Sequence, residues 1–318
     1  MDGVFRYVDR MRALLFRQYG PADVVEIADI PEPHATAGRI RITVRASGLG
    51  TGELRIRAGD LQDVMPIAFP FRMGFDAAGV VDEVGDGVEG MTVGDEVFGW
   101  TDPAQRGANA ELAVLTAWAR KPASWSWEEA GGAAGSVETA ARVLDIANAA
   151  SGDTLLVHGA AGATGSVIVQ VAVARGARVI GTASERNHEF LRSLGAVPTT
   201  YGEGLIERVR TRAPGGVDTV IDCAGGALPD LVKITGDAAK VITIADPSAA
   251  AHGVRMSSGA TDALAEYGLA QGTRLADEGR LRIPVAAVFP YSDAVAAQEL
   301  SETRHANGKI VLIPDARP

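Results

Sequence analysis

The chain has 318 residues with 30 basic and 40 acidic side chains, a formal net charge of −10, which makes it a poor generic binder of nucleic acid or of an anionic membrane. A single cysteine, Cys223, excludes an internal disulfide framework and a cysteine-rich structural zinc site. The length favours two domains, at roughly 150 residues each, and 38 glycines point to many tight turns and close backbone approaches.

The N-terminus carries Asp2, Arg6, Asp9, Arg10 and Arg12. Its longest apolar run, Ala13-Leu14-Leu15-Phe16, is too short for a signal-peptide core. Without a targeting signal or disulfides, the expected location is the cytoplasm. Residues 12–120 read as short β segments split by polar or glycine-rich breaks. Ile40 to Arg45 alternates with the period of a half-buried strand. Ala77 to Val84, Asp95 to Gly99 and Glu111 to Ala119 are further strand-like runs.

Near Trp125 the character changes. Ser126, with Glu129 three residues on, predicts a capped helix start. From Thr154 to about Ile244 strand and helix patterns alternate. Leu155 to Val157, Arg178 to Ala183, Val217 to Asp222 and Lys240 to Ile244 read as strands. Ser166 to Arg175 and Glu185 to Leu194 read as helices, ended by Gly176 and Gly195. This alternation argues for an α/β fold with a doubly wound parallel sheet. The tail gives a strand at Pro284 to Phe289, a helix at Ser292 to Ser301 and a last strand at Lys309 to Ile313.

Between Asp153 and Arg175 lie 21 residues without a charged side chain, the length of a membrane span. His158, Gln170 and the glycines at 159, 162 and 165 fit a buried strand, a glycine turn and a helix better. The sharpest motif lies there, in Gly159-Ala160-Ala161-Gly162-Ala163-Thr164-Gly165. Small residues between a strand and a helix let the backbone approach a pyrophosphate, whose charge the exposed amides and the helix end receive. Gly162 and Gly165 have the spacing of the last two glycines of a dinucleotide fingerprint, with Ala160 where its first would stand. The alternative is a tight turn kept small for packing alone.

The second strand of an NAD site usually ends in an acidic residue on the ribose 2′-hydroxyl. Here that position falls near Ala183, and Ser184 and Arg186 follow. A hydroxyl and a guanidinium suit a 2′-phosphate, so NADP(H) is expected as the cofactor. A shift of one register would instead bring Glu185 to the ribose.

Taken together, these residues resemble the medium-chain dehydrogenase/reductase superfamily, and within it the zinc-independent quinone oxidoreductases. The motifs that carry the likeness are Met11-Arg12-Ala13, Gly74-Phe75-Asp76-Ala77-Ala78-Gly79-Val80-Val81, Gly94-Asp95-Glu96-Val97-Phe98-Gly99, Thr139-Ala140, the turn at 159–165, Asp218 to Gly226 and Gly308-Lys309-Ile310-Val311-Leu312. They run from Met11 to Leu312, with residues 1–10 as an extension. The resemblance implies a GroES-like β-barrel domain over 1–125, a Rossmann NADP-binding domain over 126–284 and a segment, 285–318, returning to the first domain. It also implies a homodimer.

Carried over by resemblance, the cofactor site comprises Thr139, Gly162, Ala163, Thr164, Gly165, Ser184, Arg186, Tyr201, Cys223, Ala224, Ile244, Ala245 and Phe289. Ala163 and Thr164 amides meet the pyrophosphate, and Ser184, Arg186 and Tyr201 surround the 2′-phosphate. Cys223 and Ala224 line the adenosine side, and Thr139, Ile244, Ala245 and Phe289 approach the nicotinamide. For Tyr201 the competing role is ordinary packing. On the substrate side stand Gly50, Thr51, Glu53, Arg55 and Trp100. Relatives often read Ala-Gly-Val-Asn-Pro-x-Asp-Trp-Lys where this chain has Ala46-Ser47-Gly48-Leu49-Gly50-Thr51-Gly52-Glu53-Leu54-Arg55. Gly50 and Gly52 suggest a permissive loop and a roomy acceptor pocket. Glu53 and Arg55 otherwise read as a surface ion pair, and Trp100 as core.

No metal is expected. The histidine of the zinc branch is replaced by Phe75, and His34, His158, His188, His252 and His305 show no close ligand spacing. Without a metal to polarise an alcohol, hydride transfer to a small-molecule quinone or enone is easier to explain. The expected activity is thus an NADPH-dependent, zinc-free reductase of quinones or α,β-unsaturated carbonyls, with no catalytic side chain assigned. The alternatives are a discrete enoyl reductase of a polyketide or fatty-acid pathway and a non-catalytic NADPH-binding protein.

Overall fold

The computed structural model describes residues 9–63, 65–103, 105–304 and 306–316. His305 and residues 1–8 of the N-terminal extension lie outside the described residues. The chain separates into two compact units, one within Met1–Gly135 and Val285–Pro318, the other within Ser136–Pro284.

The first unit starts with β1 (Arg10–Phe16) and β2 (Glu26–Pro31), paired antiparallel. Next come β3 (Ile40–Leu49), α1 (Thr51–Ala58), β4 (Phe71–Arg72), β5 (Asp76–Val84), β6 (Glu96–Thr101) and β7 (Leu112–Arg120). Strands β3, β5, β6 and β7 pair antiparallel in sequence, and β7 returns to β3 with Ile40 opposite Leu115. That last pairing closes the sheet on itself. Alternation along β3 turns Ile40, Ile42 and Val44 into a core shared with Val81, Val97 and Leu115.

Helix α2 (Trp127–Gly131) begins in a capping box. The Ser126 hydroxyl accepts from the Glu129 amide at 3.2 Å and the Glu129 carboxylate accepts from the Ser126 amide at 2.9 Å. The first unit therefore runs to Gly135, ten residues past the boundary expected at 125. Close approach explains this. A Cβ on Gly131 would lie 2.6 Å from the Ala46 carbonyl carbon, and one on Gly132 2.5 Å from Lys309 Cγ. Helix α3 (Ala134–Ile146) follows.

The second unit holds β8 (Thr154–His158), α4 (Ala163–Ala174), β9 (Arg178–Thr182), α5 (His188–Ser193), β10 (Val197–Thr199) and α6 (Leu205–Arg212). It continues with β11 (Thr219–Asp222), α7 (Leu228–Thr235), β12 (Val241–Thr243), β13 (Arg255–Met256) and α8 (Tyr267–Asp277). All six strands run parallel in the order β10-β9-β8-β11-β12-β13, a doubly wound sheet whose order reverses beside β8. The uncharged stretch after Asp153 is thus a buried strand, a turn and a twelve-residue helix. Among the described residues no helix is long and apolar enough to cross a membrane. The helix expected over Glu185–Leu194 splits into a 3-10 turn, Glu185–Asn187, and α5.

The chain then adds β14 (Val285–Pro290), α9 (Ala294–Glu302) and β15 (Lys309–Ile313) to the first unit. β14 lies parallel to β15, and β15 pairs antiparallel with β3, Val311 opposite Gly48.

Candidate functional site

Parallel strands bring their carboxyl ends to one edge of the second unit. Register sets Asp222 beside both His158 and Thr243, and Thr182 beside Thr199. The turn after β8 uses its glycines for contact. Gly159 has φ 78°, and a Cβ there would lie 2.9 Å from Ala224 Cβ. A Cβ on Gly165 would lie 2.3 Å from the Gly159 carbonyl oxygen, so only glycine lets α4 start against the turn. Gly162 differs. It caps α4 with no side-chain hydrogen bond, and a Cβ there would meet only the Gly159 oxygen, at 3.4 Å. The amides of Ala163, Thr164 and Gly165 thus open the helix with no side chain bonded to them, at the positive end of its dipole. This open, uncapped cradle fits a dinucleotide pyrophosphate.

Side chains at the strand ends hold that edge in shape. Thr182 Oγ1 accepts from the Gly159 amide at 3.0 Å and lies 2.8 Å from Nδ1 of buried His158. Burial pushes the His158 imidazole below its ordinary value, against the pull of Asp222. Asp222 Oδ1 accepts from the amides of Ala224 and Gly225 at 3.0 and 2.9 Å, and its Oδ2 accepts from the Thr243 hydroxyl at 2.7 Å. Thr243 Oγ1 in turn accepts from the amides of Ala245 and Asp246, at 3.1 and 3.0 Å. Asp246 Oδ2 accepts from the Gly226 amide at 2.7 Å, closing the network. The Ser248 hydroxyl holds the Asp246 carboxyl below the usual carboxylate range. Cys223, Ala224, Ile244 and Ala245 sit on the two loops so fixed. Desolvation, and Asp222 beside it, push the thiol of half-buried Cys223 up from its ordinary value.

Arg186 and Glu185 are both exposed on the 3-10 turn after β9. The Ser184 hydroxyl accepts from Asn187 Nδ2 at 3.2 Å. Tyr201 is 57% exposed, which rules out its ordinary packing role. Thr139 stands on α3 in a charged cluster. Its hydroxyl donates to Glu138 Oε2 at 3.1 Å, while Arg142 bonds Glu138 at 2.7 Å and also reaches Ser257. The structure thus brings Gly162–Gly165, Cys223, Ala224, Ile244 and Ala245 to one edge of one sheet, with Ser184 just beyond the end of β9. Phe289 belongs to the first unit, on β14.

In the first unit the region of Gly50 to Arg55 is no permissive loop. Gly48 and Leu49 end β3, Gly50 caps α1 with φ −97°, and Thr51 to Arg55 form its first turns. The 49–51 step needs no left-handed residue, and a Cβ on Gly50 or Gly52 would meet nothing within 4 Å. Glu53 is not half of a surface ion pair. It is 5% exposed, and its Oε1 accepts from the Gly74 amide at 2.7 Å. Burial raises its pKa, while the Arg106 charge opposes the shift. Arg55 is half-buried on the same helix and forms no ion pair with Glu53. Trp100 is 1% exposed; the half-buried Phe75 ring stacks on it at 6.0 Å and 12°. Among the described residues no group of three or more His, Cys, Asp or Glu side chains could hold a metal ion.

Two family descriptions match the chain: an alcohol dehydrogenase GroES-like domain over residues 36–146 and a zinc-binding dehydrogenase over 194–312. The quinone oxidoreductase of Rattus norvegicus is 32% identical over 243 residues, covering 74% of this chain and 73% of that protein. The chain belongs to the quinone oxidoreductase-like branch of the medium-chain dehydrogenase/reductase superfamily. The NADPH-dependent alkenal/one oxidoreductase of Arabidopsis thaliana is 29% identical, over 96% of this chain and 80% of the relative. Polyketide synthase GfsB of Streptomyces halstedii is 36% identical over 66% of this chain, which spans only 4% of that protein. Among solved structures, a quinone oxidoreductase from Coxiella burnetii superposes with a TM-score of 0.80 at 28% identity, covering 96% of this chain and all of the other. The barrel of the first unit is therefore the GroES-like domain, and the parallel sheet of the second the Rossmann-like one.

Sequence reasoning missed the polar side chains that fix the loops at this strand-end edge, namely Thr182, Asp222, Thr243 and Asp246. A signal existed. Each polar side chain closes or follows an apolar strand, where loop amides would otherwise lack acceptors. It also missed Arg106, whose guanidinium lies over Phe75, because nothing in the sequence joins positions 75 and 106.

Proposed function

We infer that this family member is an NADPH-dependent reductase that delivers hydride to a quinone or an α,β-unsaturated carbonyl without zinc. The observation that carries the reading is the uncapped start of α4 behind Gly162, flanked by glycines that no other residue could replace. Exposed Arg186 and Tyr201, with Ser184, support a 2′-phosphate and so NADP(H). The names of the rat and Arabidopsis relatives support the acceptor class. When bound, the dinucleotide supplies the hydride. The chain's own part is to cradle its pyrophosphate with the amides of Ala163 and Thr164, and to set Ala224, Ile244 and Ala245 through Asp222 and Thr243. Phe75 at the histidine position, and the single cysteine lying in the other unit, support activity without zinc.

The match to a polyketide synthase favours one second reading, an enoyl reductase acting on thioesters. A panel of quinones, enones and enoyl thioesters, followed by NADPH absorbance before and after chelator treatment, separates the two. Turnover of quinones or enones that survives chelation is expected. Turnover of thioesters alone supports the second reading, and turnover of none removes both.

A further inference from the structure

Within the second unit the glycine turn is tied to the neighbouring strand through one side chain. The Gly159 amide donates to Thr182 Oγ1 at 3.0 Å, and the Ala160 amide donates to the Thr182 carbonyl at 3.0 Å. The Gly159 carbonyl accepts from the Gly162 amide at 3.1 Å, and Gly165 packs directly on the same oxygen. Wherever Thr182 holds Gly159, the start of α4 follows. Val157 stands opposite Gly181, so the next residues along β8 and β9 are His158 and Thr182, and both are buried. A buried hydroxyl has one proton to place. Thr182 Oγ1 receives the Gly159 amide, and among the described residues it meets one further polar atom, His158 Nδ1 at 2.8 Å. With a proton on Nδ1, as in one neutral tautomer or the imidazolium, Oγ1 would face two donors. The hydroxyl proton would then be buried without an acceptor, which is costly. With Nδ1 bare, every one of these groups is satisfied. Burial favours a neutral ring over the pull of Asp222, whose carboxylate is already engaged by the Ala224 and Gly225 amides and the Thr243 hydroxyl.

We propose that His158 is a positioning residue of the dinucleotide site: with its ring proton on Nε2, its bare Nδ1 takes the Thr182 hydroxyl proton and so turns the Thr182 oxygen onto the Gly159 amide. The proposal rests on the dinucleotide reading of the turn. The effect is relayed from imidazole to hydroxyl, from hydroxyl to Gly159, and from Gly159 through Gly162 and Gly165 to the amides of Ala163 and Thr164. A ring that only filled space would not depend on which of its nitrogens is bare.

The tests use the full chain. Long-range nitrogen–proton correlation of the isotope-labelled wild type, with the ring assigned by its loss in His158→Asn, should show Nδ1 bare and Nε2 protonated near neutral pH. A proton on Nδ1 overturns the proposal. NADPH affinity, read by fluorescence titration, should fall about five- to tenfold in His158→Leu, the low end of what a buried donor without its acceptor costs. His158→Asn and His158→Gln then separate positioning from packing. An asparagine carbonyl can stand where Nδ1 stands, whereas glutamine is closer to histidine in size but reaches toward the place of Nε2. His158→Asn should recover most of the affinity and His158→Gln little of it. Equal or better recovery in His158→Gln, or no loss in His158→Leu, overturns the proposal. If His158→Leu does not fold, the other two variants and the correlation spectrum carry the test. If the wild type binds no dinucleotide, the dinucleotide reading fails instead, and hydrogen exchange of the Gly159 amide reports on the tether by itself. That exchange should be slow in the wild type and His158→Asn and fast in His158→Leu and His158→Gln. Equal exchange in all of them overturns the proposal.

Discussion

The two units build their chemistry from different parts of the chain. In the second unit the candidate cradle is built of backbone. The amides at the start of α4 carry no side-chain cap, glycines allow close approach, and carboxylates and hydroxyls at strand ends hold the loops. In the first unit the clusters are built from side chains at distant positions: Phe75 reaches Trp100 where β5 pairs with β6, and Glu53 on α1 reaches the Gly74 amide. A backbone site needs a short run of small residues in order. A side-chain cluster needs a fold before its members are neighbours.

The first unit's dependence on side chains has its sharpest test at Lys309. Lys309 Nζ lies 2.9 Å from Asp76 Oδ2, both groups buried, and Asp76 Oδ1 accepts from the Gly135 amide at 3.0 Å. Lys309→Met leaves an uncompensated buried carboxylate. The expected loss is about 3–5 kcal/mol, read as an earlier urea transition. Asp76→Asn added to Lys309→Met should restore much of it. A loss below about 1 kcal/mol would show that side-chain pairing does not hold this unit together.

The corresponding change in the second unit is Asp222→Ala. It strands the amides of Ala224 and Gly225 and the Thr243 hydroxyl. About 2–4 kcal/mol should be lost, at one to three for each buried unsatisfied group with partial relief by water. Dinucleotide affinity should fall with it, since the loop carrying Cys223 and Ala224 loosens. Calorimetric melting and NADPH fluorescence titration report the two effects. If stability falls while affinity stays, the backbone edge keeps its shape without the acid, and the contrast between the units is stronger still.

This contrast also explains what the sequence made legible. The doubly wound sheet was readable because β8, β9, β11 and β12 are apolar runs separated by glycine-ended helices, as Gly176 and Gly195 show. The turn at 159–165 was readable because all its parts are adjacent. Helix α1 was not: glycines at 50 and 52 mimic a loop, and its amphipathic signal is diluted by Arg57 facing inward. Arg57 is buried against the Gly20 carbonyl and Glu302, contacts supplied by the fold and invisible in the local pattern. The split of Glu185–Leu194 was hidden for a similar reason. Periodicity does not distinguish a 3-10 turn from the first turn of an α-helix.

A smaller effect probes cofactor choice on the backbone-built edge, where one side chain is expected to matter. Arg186→Ala should weaken NADPH binding by about 1.5–3 kcal/mol, the range for a charged hydrogen bond, and leave NADH nearly unchanged. Exposure of Arg186 places the true value toward the lower end, because solvent screens the pair. Isothermal titration with both cofactors decides it. Equal losses for NADPH and NADH would move the discriminating contact elsewhere, with Glu185 on the same turn as the next residue to replace.

The smallest effect belongs to Gly50, where the two ways of building meet in one residue. Gly50 caps α1 with extended backbone, φ −97° and ψ 140°, and no side chain bonds the helix amides. Asparagine suits that geometry, and its side chain has free space, since a Cβ there meets nothing within 4 Å. Its oxygen can accept from an amide of the first turn. Gly50→Asn should therefore raise stability by a few tenths of a kcal/mol, about the difference between glycine and asparagine caps. The same side chain would project into space that is now open at the helix start. If that space receives the acceptor, kcat/KM should fall more for bulky quinones than for small enones, with NADPH affinity preserved. A stabilised protein with unchanged kinetics for both acceptors would mean that the cap forms and the acceptor lies elsewhere.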